Sequence, residues 1–367
     1  MVPLPRRAHA LAHAVQSQSV RVAGTDWHEA PNVLPTVCTA HRADDRCAGP
    51  TSSPTSFAGA AKVPATTSVP ITTPIRSHPV AAYFALAFAI SWGGLLLIGG
   101  TSGISGTWQS DPRLPLMVVA MLAGPSVAGL IVTGLVSGRA GLGALFSRVA
   151  RWRVGVRWYA FALLAAPVVF GAVHFALSLT SPVFIPGILT TSDRSSLLIS
   201  SIAGALAVGF FEEIGWTGFA VPAVLRRYGV LTTGLIVGVP WGAWHLLTND
   251  IWIGRSYSGG LPVAFFVTMN GLGLIVGQLP AYRVLMVWVY DRTGSLLVAM
   301  LMHASLSAST FALGPSSATG ANLLIYGFVL AATWWAVVGI VQAMAGFSRG
   351  RRPAIDRESQ PSPSRFS

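Results

Sequence analysis

From about residue 80 to residue 346 the chain alternates long apolar runs with short polar connections. Crossing hydrocarbon takes about 20 predominantly apolar residues in one helix. Eight stretches reach that scale: 81–100, 115–137, 158–180, 197–219, 230–247, 262–290, 295–313 and 322–346. The sixth is the longest and holds Pro280, which predicts a kink or a tilt. The pattern predicts an all-α polytopic membrane protein of about eight transmembrane helices, with disordered tails at both ends.

The first 77 residues do not share the pattern. Residues 1–77 are rich in Pro, Ser, Thr and Ala and show no helical apolar period, so a disordered polar extension is expected. Arg6 and Arg7 are not followed by the apolar core of a signal peptide, and Asp26, Glu29, Asp44 and Asp45 argue against a transit peptide. Cys38 and Cys47 have no metal-ligand spacing, and two cysteines make no disulfide framework. Residues 347–367 form a second polar tail, also expected to be disordered. The transmembrane domain is residues 78–346.

Composition agrees with the membrane reading: 52% of the residues are hydrophobic and 10% charged, where soluble domains carry about 25% charged residues. The formal net charge of +12 adds orientation. Arg139, Arg148, Arg151, Arg153 and Arg157 crowd one connection, and Arg349, Arg351, Arg352, Arg357 and Arg365 fill the C-terminal tail. Arg226, Arg227 and Arg292 fall in connections on the same side, against Arg113, Arg194 and Arg255 on the other. The positive-inside rule then predicts both termini in the cytoplasm of a plasma-membrane protein. This topology accounts for the charge, so no nucleic-acid partner is expected; the partner is the lipid bilayer. Tryptophans near span ends (Trp92, Trp108, Trp158, Trp252, Trp288) predict an interfacial belt.

Chemistry enters with "FFEEIGWTGF", residues 210–219. Asp111, Asp193, Asp250 and Asp291 fall in connections, whereas Glu212 and Glu213 lie inside a span. A charge there costs at least ~2.5 kcal/mol, so an intramembrane ionisable group suggests function. His174, His245 and His303 are the histidines of the same region. Glu212 lies 16 residues before Tyr228 and His245 lies 17 after it, so in a helical hairpin they reach nearly equal depth. One turn away stand possible companions: Trp216 for Glu212, Thr217 for Glu213, Trp241 for His245 and Ser307 for His303. Gly204, Gly209, Gly215, Gly218, Gly238 and Gly242 allow close helix approach. Glu212, Glu213, His245 and His303 are expected in one pocket of the fourth, fifth and seventh spans. A structural polar tie between helices is the plainer alternative. His174 has no partner in sequence and is expected to pack.

"EEIGWTGF", "WGAWHLL" and "HASLS" resemble, in order and spacing, the three motifs of the CPBP family of intramembrane proteases, prokaryotic relatives of CAAX-prenyl endopeptidases. The similarity covers roughly residues 78–346. The family pattern is Glu-Glu with Arg four residues after the second Glu, an aromatic four before His, and His with Asn or Asp four on. Glu212, Glu213, His245 and His303 match. Trp241 replaces the usual Phe, Thr217 the expected Arg and Ser307 the expected Asn or Asp.

The resemblance implies an endopeptidase acting on a membrane-associated protein or peptide, prenylated substrates included. Glu212 would be the general base on water, His245 would position it, and His303 would stabilise the oxyanion. It also implies a divalent metal, zinc, on Glu212, His245 and His303, with metal-free water activation as the other route. With Thr217 in place of Arg, two adjacent carboxylates in lipid would not both ionise, which predicts a neutral Glu213. Thr217→Arg is then expected to raise turnover. These departures leave two further functions open: a weak or silent relative serving as an immunity or partner-binding protein, and a proton-coupled transporter.

Overall fold

The computed structural model describes residues 72–101 and 111–345. No strand occurs among them, and eight helices are long and apolar enough to cross a membrane. They are the first span, Pro79–Gly99, then Leu114–Val149, Val156–Ser178, Arg194–Leu225, Val230–Asn249, Val263–Thr293, Leu296–Leu313 and the eighth, Gly320–Ala345. This is the all-α membrane fold expected from the hydropathy.

Residues 1–71 and 346–367 lie outside the described region, as do both cysteines and Trp108. Within the expected polar extension, Thr72–Ser77 forms a short helix that touches the first two spans. The second span also runs past its expected end at residue 137. Its backbone breaks at Gly138 (φ 61°) and then continues as helix to Val149, through residues expected to be a connection. Only glycine takes that left-handed φ without strain, so the break falls there.

Packing is governed by small residues. A Cβ on Gly129 would come within 2.8 Å of the Gly215 Cα, so the second and fourth spans meet nearly backbone to backbone. Gly209 sets the fourth span against Met300 and Ala304 of the seventh, and Gly238 sets the fifth against Pro280 of the sixth. The fourth span packs chiefly on the seventh and the fifth chiefly on the sixth. The fourth and fifth pack directly beside their shared turn, through Val221–Leu225, and further along touch through large side chains: the rings of Trp216 and Trp244 lie 5.9 Å apart.

Three helices change pitch beside the motifs. Trp216–Ala220, Leu246–Trp252 and Gly273–Gln278 are π-helical. Such wide turns insert a residue and rotate the rest of the helix about its axis, and they concentrate at functional sites. The third one, just before Pro280, takes up the irregularity expected in the sixth span. The sixth span ends on Gly294 in the left-handed conformation (φ 59°, ψ 14°), and Ser295 caps the seventh by accepting the Val298 N–H. This tight turn fixes the sixth and seventh spans in register.

Trp252 departs from the expected interfacial belt: it is buried with Leu95, Met117 and Leu247. His174 is buried, and its Nδ1–H donates to the Phe184 carbonyl at 2.6 Å, a packing role as expected.

Candidate active site

Glu212 and Glu213 sit at the end of the regular helix, just before its first π-helical turn, and are 3% and 0% exposed. Being adjacent, they project in different directions and meet different partners. Glu212 Oε2 accepts two indole N–H groups, from Trp216 one turn on at 3.2 Å and from Trp241 of the fifth span at 3.0 Å. Both bonds fall on one oxygen, and among the described residues no donor reaches Oε1.

Glu213 faces the sixth and seventh spans. Its Oε1 accepts the Nδ1–H of His303 at 2.7 Å, and Thr217 Oγ1 donates to Oε2. The remaining partner is Arg283, wholly buried in the sixth span. Its Nη1 donates to Oε2 at 2.8 Å and its Nη2 to Oε1 at 3.0 Å, a two-pronged carboxylate–guanidinium pair. Removing one partner of such a buried pair strands the other charge and costs about 3–5 kcal/mol. The expected neutral Glu213 is thus corrected: its counter-charge comes from another helix.

Trp241 joins the two halves. Its ring lies under the Arg283 guanidinium at 4.0 Å and meets the His303 ring edge-on at 5.0 Å, while its N–H holds Glu212. A phenylalanine could stack but not donate, so Trp241 adds a hydrogen bond that the usual aromatic would not supply. His303 Nε2 points toward Glu212, 4.0 Å from Oε2.

His245 stands at the edge of this cluster and is half-buried. The fifth span loosens here: the His245 N–H bonds to the Gly242 carbonyl at 3.2 Å, which frees the Trp241 carbonyl to accept the His245 Nδ1–H at 2.8 Å. The ring lies 5.9 Å from that of Trp241 and leaves Nε2 available. Ser307 is buried one turn beyond His303 on the seventh span. A cavity of about 360 Å³ between the third, fourth and seventh spans, lined by Leu163, Leu198, Ile202, Leu206 and Ala308 among others, contains none of these residues. Its apolar walls suit lipid, not catalysis.

The four predicted residues therefore gather around Trp241: Glu212, His303 and His245 contact it directly, and Glu213 joins through His303 and Arg283. Arg283 was missed. Its signal was in the sequence: an arginine inside an apolar span, 11 residues before Gly294, where His303 lies nine after it. Spacing from the shared turn places the two at nearly equal depth.

As a zinc site the cluster fits poorly. Each imidazole is tethered through Nδ1, as metal-binding histidines often are. Yet among the described residues no three His, Cys, Asp or Glu side chains gather as a ligand set. Glu212 Oε2 is taken by two indoles, and a guanidinium occupies the same cluster.

Residues 194–309 match the family model described as Type II CAAX prenyl endopeptidase Rce1-like. This segment is Rce1-like. It runs from the start of the fourth span into the seventh and holds every residue of the cluster, Arg283 included. CAAX prenyl protease 2 of Methanococcus maripaludis is 25% identical over an 84-residue alignment, and the match covers 19% of this chain. The chain spans 28% of the length of that curated relative. The resemblance carried by the three motifs is borne out for this segment of an integral membrane protein.

Proposed function

We propose that this chain is an intramembrane endopeptidase of the CAAX type. It would hydrolyse a peptide bond near the C-terminus of a membrane-associated, prenylated protein or peptide. The observation that carries this reading is the asymmetry at Glu212: two indoles hold Oε2, which lies 4.0 Å from His303 Nε2, and among the described residues no donor holds Oε1.

The chemistry rests on that asymmetry. Water held by Glu212 Oε1 and His245 Nε2 attacks the carbonyl carbon while its proton passes to Glu212. The oxyanion is received on the Nε2 side of the His303 imidazole, which Glu213 orients through Nδ1, and by the Ser307 hydroxyl. Glu212 then returns its proton to the departing amine nitrogen as the C–N bond breaks. No step requires a metal. Positive charge on alternate connections supports cytoplasmic termini.

The test is cleavage of a prenylated fluorogenic peptide by the purified full chain in bilayer discs. Glu212→Gln should abolish cleavage, since an amide takes no proton from water. Robust turnover by Glu212→Gln would overturn the assigned base. A wild type that cleaves neither this peptide nor the membrane-protein fragments of its host would favour a silent, partner-binding role, a reading to which the deep burial of both glutamates lends weight.

A further inference from the structure

We propose that Arg283 is the positioning residue of this site and that it does from the sixth span what an arginine at position 217 would do from the fourth. This inference rests on the endopeptidase reading for its activity measurements, but not for its stability measurements. Arg283 touches neither Glu212 nor the expected place of a substrate. It acts through two other groups: Glu213, which fixes the Nδ1–H of His303, and Trp241, whose indole N–H fixes Glu212. One guanidinium thus orients both the expected base and the expected oxyanion group.

The geometry also makes the two origins of the charge interchangeable. Thr217 Oγ1 lies on the same Glu213 oxygen as Arg283 Nη1, and the two are 3.4 Å apart. Position 217 is one helical turn from Glu213, within easy reach of an arginine side chain. Its present threonine is small enough to leave that space to Arg283. With Arg283 in place, a second guanidinium at 217 would meet like charge among fully buried side chains. Thr217→Arg alone is therefore expected to lower both stability and turnover, which reverses the expectation from the motif.

Four variants of the full chain separate positioning from simple support: Arg283→Gln, Thr217→Arg, Thr217→Arg/Arg283→Gln, and Glu213→Gln/Arg283→Gln. Thermal unfolding in detergent reads the ion pair whether or not the chain is a protease. Arg283→Gln should lower the melting temperature. The relocated pair and the doubly neutral pair should each restore most of it. Cleavage of the prenylated peptide should separate these two. Arg283→Gln should lose kcat on the order of 100-fold, the scale of losing one preorganised group, with KM little changed. The relocated pair should regain most of that rate, and the doubly neutral pair should not, because His303 then lacks its carboxylate.

Wild-type kcat in a folded Arg283→Gln would overturn the positioning role. A relocated pair that fails to recover the melting temperature would overturn the interchange, even if no peptide is ever cleaved. Full turnover by the doubly neutral variant would reduce Arg283 to a structural tie.

Discussion

Trp241 donates its indole N–H to Glu212 at 3.0 Å while its ring carries the guanidinium of Arg283 at 4.0 Å. One side chain thus couples two buried charges of opposite sign that do not touch each other. The carboxylate that faces the expected water is held by an N–H, and the cation is desolvated against a π face, where such contacts are worth about 2 kcal/mol. The polar cluster becomes a single connected unit, in which loss of one member is felt by the others.

Trp241→Phe should retain the stacking and lose the hydrogen bond. A hydrogen bond to a charged group contributes about 1.5–3 kcal/mol, though Trp216 still holds the same oxygen. Turnover of the prenylated peptide should fall about tenfold, with KM nearly unchanged. Wild-type kcat in Trp241→Phe would show that Trp216 alone fixes Glu212.

Gly209→Ala tests the contact that brings the fourth and seventh spans together. Its added methyl would meet the Met300 carbonyl and come within 2.9 Å of the Ala304 nitrogen, on either side of His303. Overpacking of this kind costs about 1–3 kcal/mol. A melting temperature lowered by several degrees in detergent is expected, together with reduced turnover as His303 moves from Glu213. An unshifted melting curve would mean that the helices separate freely at this crossing.

Chelation separates the two routes of water activation. Cleavage by protein treated with a strong zinc chelator should continue at the untreated rate if, as proposed, Glu212 and His245 activate the water without a metal. Lost activity that returns on adding zinc, with metal bound in proportion, would replace this reading with a metalloprotease.

Topology is open to a direct measurement. The eight candidate spans among the described residues would put both ends of the membrane domain on one side, and by the positive-inside rule the arginine-rich connections are expected to make that side cytoplasmic. A reporter fused after Ser367 should score cytoplasmic. An external score would invert the orientation and the side from which a substrate approaches.

What the sequence determined by itself was whatever depends on local composition. Eight apolar runs became eight helices because hydrocarbon demands internal backbone hydrogen bonding over about 20 residues, whatever the helices pack against. Glu212, Glu213, His245 and His303 stood out because ionisable groups are rare and costly in that medium. Equal spacing from a shared turn set Glu212 opposite His245; in the fold the residue of the fifth span that bonds Glu212 is Trp241, one turn before His245. Tertiary structure decided who faces whom. Helical phase is reset wherever a turn widens, and π-helical turns after Glu213, after His245 and before Arg283 reset it three times. Motif spacing along the fourth span therefore looked for the counter-charge of Glu213 at position 217, where Thr217 does bond it, whereas the fold supplies the charge from position 283. Which of two nearby positions carries a charge is a matter of side-chain reach across the bundle, and a linear pattern does not contain that distance.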